Sequence, residues 1–242
     1  MTSVRNTAFA VAFCVVSAAS QAQAGLIVSP VGAVVNSGGT QPGLTINDTF
    51  NQRGLATPFV SGVTDFASYI ATDPLHNPLP GNGEWASGTL GGLSPTQTQA
   101  VVTYDLGRIM AVNAMALWND DLFGVGKMNI LLSKDGITFT QVTTVFPTNN
   151  PFTPPNLTPF GPDVFGNPSG HAFGARYVQL EMSFCPQPGG PTLQNGQPVP
   201  RCGIGEVAFS KAVPEPSSLA LLGSGLLGLA RLRRRKTKAD NS

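Results

Sequence analysis

Two kinds of hydrophobic pattern divide this chain. Unbroken apolar runs stand near its ends, Ala8 to Val16 and Leu219 to Ala230, whereas between them apolar residues come in short stretches broken by polar ones. Val102, Tyr104 and Leu106 alternate with Val101, Thr103 and Asp105 before Gly107, which predicts a strand with one buried face. Val112 to Trp118 predicts a second strand and Met128 to Leu132 a third. Ser133-Lys134-Asp135-Gly136 then turns the chain into Ile137 to Val142, because Asp-Gly suits the positive-φ positions of a hairpin. Tyr177 to Phe184 puts Val178, Leu180, Met182 and Phe184 on one side, and Ile204 to Phe209 is the last strand. Residues 25–45, with Leu26-Ile27-Val28 and Val34-Val35 among Gly, Ser and Pro, read as a lead-in segment.

Composition supports an all-β reading. The 242 residues include 28 Gly and 21 Pro, which leaves little room for long helices. No solenoid or propeller repeat is visible, so residues 46–212 form one domain of a size that sandwiches reach alone. Residues 147–168 hold seven prolines with Phe152, Phe160 and Phe165, too long for a hairpin connection, and read as an insertion. Six of the 14 basic residues crowd into the last dozen positions. Between residues 25 and 216 seven basic residues face twelve acidic ones, a net of −5, which excludes nucleic acid as a partner.

Both ends read as targeting segments. Arg5, the Ala8 to Val16 run and Ala22-Gln23-Ala24 have the order of a signal peptide, residues 1–24, forming an N-terminal signal helix. At the other end Val213-Pro214-Glu215-Pro216 precedes the apolar Leu219 to Ala230 stretch and the basic cluster Arg231 to Lys238. The twelve apolar residues fall short of the roughly 20 that an ordinary span needs, which suits transient membrane insertion of an apolar helix. This tail, residues 213–242, resembles the PEP-CTERM sorting signal of Gram-negative bacteria. The resemblance implies processing by an exosortase near Val213, Pro214, Glu215 and Pro216, placement at the cell surface or in the extracellular matrix, and an exopolysaccharide-producing host. The tail's Gly223-Ser224-Gly225-Leu226-Leu227-Gly228 matches a dinucleotide fingerprint but lacks a preceding strand, so it is set aside.

Export gives Cys185 and Cys202 an oxidising compartment and an even count, so a disulfide is expected between them. The segments Gly83-Glu84-Trp85-Ala86-Ser87, Val102 to Gly107, Ser133 to Gly136, Ala175-Arg176-Tyr177-Val178 and Gly205-Glu206-Val207 resemble, in this order, the discoidin-like family, or coagulation factor type C domains. That resemblance implies a jelly-roll β-sandwich of the galactose-binding-like type and a binding module whose ligand, often a glycan, sits on loops at one end.

No Gly-x-Ser-x-Gly elbow, P-loop or His-Glu-x-x-His motif is present, and His76 and His171 read as solvated loop residues, so the domain is not expected to be an enzyme. Adjacent Asp120 and Asp121 point to opposite faces if on a strand and read as loop solvation rather than a glycosidase pair. The candidate glycan loop is Trp118, Asn119, Asp120, Asp121 and Phe123, assisted by Lys127: an aromatic platform beside side chains that bond sugar hydroxyls. Alternatively Trp118, which shares parity with Val112, Ala114 and Ala116, ends its strand facing the core, where Trp85 is also expected. A structural Ca²⁺ on Asp65 and Glu206 is implied by the resemblance for some members. Parity adds that Glu206 sits at a bulge or points inward, where a salt bridge to Arg176 or Arg201 is the alternative to an ion. The competing class is a structural matrix or coat protein with no soluble ligand.

Overall fold

The computed structural model describes residues 25–78, 83–90, 94, 96–97, 99–151, 158–166, 172–190 and 199–213. The signal segment, Pro214, Glu215, Pro216, the apolar tail and His171 lie outside the described residues. Within them the protein is antiparallel β: β1 (Gly25–Val28), β2 (Gly32–Ser37), β3 (Trp85–Ala86), β4 (Ala100–Asn119), β5 (Lys127–Ser133), β6 (Thr140–Val145), β7 (Asp163–Gly166), β8 (Phe173–Ser183) and β9 (Gly203–Ala212). A 3₁₀ turn, Ile46–Phe50, and one short helix, α1 (Phe66–Ile70), complete it. None of these helices is long and apolar enough to cross a membrane.

The two strands expected at 101–106 and 112–118 are one strand of 20 residues, β4, that serves two layers. Its first part pairs with β2 on one side and β8 on the other, and its last part with β7 and β9. Between Asp105 and Met110 the register with β8 slips, and Gly107, at φ +82°, is where the strand bends instead of stopping. The result is a sandwich: β2-β4-β8-β5-β6 faces β7-β4-β9-β1, with the short β3 on the β9 edge. Tyr104, Leu180, Met128, Leu117, Val207, Phe209 and Trp85 pack in one buried cluster between the sheets. Each such side chain contributes roughly 1.5–3 kcal/mol of burial.

A second cluster lies outside the sandwich. Ile27, Ala116, Trp118 and Ala208 project from the far face of the β9 sheet, and Leu55, Phe59, Phe66, Tyr69 and Phe160 cover them. Strand β9 is therefore buried along nearly its whole length, with inward and outward residues alike shielded. The insertion is part of this arrangement: its Phe160 is buried and its Asp163–Gly166 segment is β7, a strand on the edge of β4.

Two further expectations are corrected. Phe184 does not continue the Val178, Leu180, Met182 face; it has φ +54° and is 42% exposed, just past the end of β8. The hairpin turn is longer than Asp-Gly alone: β6 starts at Thr140, only Gly136 has positive φ, and Asp135 Oδ1 accepts from the amides of Ile137 and Thr138. The disulfide Cys185–Cys202 is formed and ties the end of β8 to the start of β9.

Candidate functional site

Chain direction defines two ends of the sandwich. Gly25 pairs with Ala212, so the described termini lie together at one end. The ends of β4 and β8 and the starts of β5 and β9 lie at the other, joined there by the disulfide. The predicted glycan loop leaves β4 at this second end.

Its side chains do not all face outward. Trp118 is fully buried and its indole N–H donates to the Pro74 carbonyl at 2.7 Å, so it is no stacking platform. Parity explains why: a register shift between Val112 and Ala114 puts Met115 and Leu117 in the sandwich interior, leaving Trp118 with Ala116 on the outer face under the second cluster. Asn119, also buried, pins the loop. Its Oδ1 accepts from the Val125 amide at 2.8 Å, and its amide nitrogen lies 2.9 Å from the Thr148 carbonyl and 2.8 Å from Gln187 Oε1.

Asp120 and Asp121 are buried rather than solvated. Asp120 holds an Asx turn, its Oδ1 accepting from the Leu122 amide at 3.1 Å and its Oδ2 from the Phe123 amide at 3.2 Å. Beyond that turn Leu122 and Phe123 are half-buried. Lys127 is half-buried at the start of β5 and does not line the pocket described next.

The pocket, a shallow concavity of about 50 Å³, is lined by Gln41, Leu44, Glu84, Trp85, Asp120 and Phe123, together with Ala86 and Leu122. Arg201 flanks it. Its guanidinium lies 5.6 Å over the Phe123 ring, donates to Gln41 Oε1, and reaches Thr89 Oγ1 at 3.2 Å. Apolar faces and polar hydrogen-bonding groups thus converge on one concavity, the combination that small-ligand sites use. A second cleft, of about 40 Å³, lies between β5, β6 and β7 and is almost wholly apolar, with Met115, Ile130, Phe165 and Phe209 in its wall. Sequence reasoning found Phe123 but missed Gln41, Glu84 and Arg201 as neighbours, since residues so far apart meet only through the register of β3, β4 and β9.

The calcium pair is not assembled. Asp65 caps α1, accepting from the Ser68 amide at 2.8 Å, and the Ser68 side chain together with that amide holds its carboxyl below the usual range. It stands opposite Leu26, which pairs with Lys211, five residues and about 17 Å of strand from Glu206. Glu206 does sit at a bulge, where β9 steps from Glu206 to Ile204 as β4 steps from Trp118 to Asn119. Fully buried, it accepts from the Gln52 amide at 3.0 Å through Oε2 while Oε1 has no partner, and burial pushes its carboxyl up to about 9. Neither arginine reaches it: Arg176 forks onto Asp105 at 2.8 and 2.9 Å, and Arg201 is at the pocket.

His76 also departs from expectation. It is fully buried, stacked on Phe160, and burial pulls its pKa down to about 4. Gly54 makes room for it, since a Cβ there would stand 1.9 Å from Nε2. The acidic residues that the fold does bring together are Glu84, Asp120 and Asp121, all buried, each offering an oxygen within 4.8 Å of the others, a set able to hold a metal. Burial is the main cause raising all three carboxyls.

No curated protein matches the chain in sequence. Among solved structures it is similar to the CBM32 domain of AlyQ in complex with 4,5-unsaturated mannuronic acid, at 13% identity and a TM-score of 0.42, covering 76% of this chain and 97% of that one. Chitosan-binding module 1 of a chitosanase/glucanase from Paenibacillus sp. IK-5 is 17% identical, with a TM-score of 0.42, covering 75% of this chain and 95% of that one. Module 2 of the same enzyme, in complex with chitotriose, is 13% identical with a TM-score of 0.43, covering 75% of this chain and 96% of that one. Residues 212–235 match the PEP-CTERM protein-sorting motif, so this chain carries the signal of an exported, exosortase-sorted protein.

Proposed function

We propose that this protein is a non-catalytic, carbohydrate-binding component of the cell surface or extracellular matrix of a Gram-negative bacterium, with exopolysaccharide as its ligand. The observation that carries the reading is the pocket at the end remote from the termini, where Phe123 and Leu122 offer apolar contact and Gln41 and Arg201 offer hydrogen bonds. A pyranose ring has one face that packs on an aromatic and a rim of hydroxyls that need paired donors and acceptors. The aromatic of the site is Phe123 rather than Trp118. In sorting, the apolar stretch Leu219 to Ala230 enters the membrane transiently while the exosortase cuts near Pro214, Glu215 and Pro216.

A glycan array probed with the exported protein tests the reading. Saturable binding to a set of related polysaccharides is the expected result. A flat array combined with concentration-dependent self-association would favour the coat protein instead.

A further inference from the structure

We propose that Glu84, Asp120 and Asp121 together bind one Ca²⁺ beneath the pocket. The three oxygens within 4.8 Å of one another match the spread of ligands around a cation whose bonds are about 2.3–2.6 Å long. All three donors are carboxylate oxygens, which suits Ca²⁺ better than a metal that prefers nitrogen or sulfur. Glu84 and Asp120 line the open pocket, which gives the ion an entry path.

An independent observation comes from a residue outside the acidic set. His76 Nδ1 is fully buried, has no hydrogen-bond partner and faces Glu84 Oε1 at 3.7 Å, an oxygen that is itself unpartnered. The other ring nitrogen, Nε2, lies 3.3 Å from the Gly83 carbonyl, which can only accept, so the ring proton belongs there. Nδ1 is then a lone pair directed at Glu84 Oε1, and two facing acceptors call for a cation at the cluster or a proton on Glu84. The protein does not supply it: among the described residues no Lys or Arg nitrogen comes within 4.0 Å of the three carboxylates, the ion pairs being His76–Glu84 and Arg176–Asp105.

The backbone accommodates the arrangement. A Cβ at Gly203 would stand 1.9 Å from Asp120 Oδ2, so glycine at the first position of β9 lets that carboxylate lie against the strand. Asp121 Oδ1 is likewise buried without a partner, leaving it available to an ion. Protons compete with Ca²⁺ for the three carboxylates, so binding weakens as pH falls.

The test uses the full chain, exported with its disulfide intact, at pH 8. Tb³⁺ replaces Ca²⁺ as a luminescent probe, with Trp85, which lines the same pocket, as the sensitiser. The expected results are Trp-sensitised emission at one Tb³⁺ per chain, displacement by Ca²⁺, and a Tm rise of roughly 5–10 °C at a hundredfold excess of Ca²⁺ over its Kd, reversed by EGTA. Asp121→Asn combined with Glu84→Gln should abolish both signals while the variant still melts cooperatively. Identical melting in CaCl₂ and EGTA with no sensitised emission from the unaltered protein would overturn the proposal whatever the variants do. A Ca²⁺ shift that survives in the double variant and disappears in Glu206→Gln would overturn it as well.

Discussion

The two tryptophans sit in different layers of one structure. Trp85 lies between the sheets and gives its indole N–H to Thr40 Oγ1 at 3.1 Å, whereas Trp118 lies on the outer face of the β9 sheet and gives its own to Pro74. Both are fully buried, but different partners bury them. Strands that alternate in sequence enclose Trp85; a cover of loop and short helix, Leu55 to Tyr69 with Phe160, encloses Trp118. The inner core is thus built by β pairing, while the outer one depends on irregular chain held by particular hydrogen bonds. One is the Tyr69 hydroxyl donating to the Thr57 carbonyl at 2.5 Å.

Trp118→Ala has the largest expected effect. Removing a fully buried indole should cost about 3–5 kcal/mol, measured as a shift in urea midpoint, and Trp85→Ala should cost a similar amount. If the outer cover is a separable layer, Trp118→Ala will additionally expose the 52–77 segment to proteolysis while Trp85→Ala lowers the whole transition. Equal stability of Trp118→Ala and the unaltered protein would break the assignment of Trp118 to a core.

The disulfide comes next. Replacing both Cys185 and Cys202 by Ser opens a loop of 17 residues, expected to cost about 3 kcal/mol in the chain-entropy picture. The loss should fall on the inner core, because both cysteines pack there and not under the outer cover. An unchanged urea midpoint would contradict it.

Titration separates the layers further. Tyr104 is the titratable group of the inner cluster, its hydroxyl raised by burial beyond the physiological range, whereas Glu206 lies beneath the outer cover near Gln52. Glu206, pushed up to about 9 by burial, keeps its proton in the folded protein at pH values where an unfolded glutamate, at 4.5, has lost it. Its contribution to stability is therefore fully present below pH 4.5 and is lost as pH rises toward 9, by up to about 1.4 kcal/mol per pH unit. Glu206→Gln should flatten that slope between pH 5 and 8 in parallel denaturation curves. A slope identical to that of the unaltered protein would show that Glu206 is ionised throughout.

The same division explains what the sequence made legible. Period-2 alternation located β8 and its interior residues Val178, Leu180 and Met182, and short apolar runs located β5 and β9, because burial of these residues follows from strand geometry. It offered burial of Trp118 and Glu206 only as alternatives and placed neither under an outer cover, because the residues of that cover, Phe59, Phe66 and Tyr69, lie in a stretch with no periodicity. Bulges compounded this: shifts after Val112 and at Gly205 reverse parity within β4 and β9, so a face counted along the strand ends on the wrong side. The loop after β4 was found from its residue types, yet its orientation follows from Asn119 and Asp120 bonding to its own backbone. The same residue types could equally have faced solvent.

The smallest stability effect and the most specific functional one belong to Phe123. Its ring lies at the pocket under the Arg201 guanidinium and outside both buried clusters, so Phe123→Ala should move the urea midpoint by no more than about 0.5 kcal/mol. Loss of an aromatic contact to a sugar ring should instead weaken polysaccharide binding by about 1 kcal/mol or more, a five- to tenfold rise in Kd by titration calorimetry. Arg201→Lys keeps the charge but loses the planar fork that meets Gln41 and Thr89, so it should weaken binding with the fold intact. If Phe123→Ala left affinity unchanged while Trp118→Ala abolished it only by unfolding the protein, neither aromatic would be the platform, and the ligand would have to be sought away from this end of the sandwich.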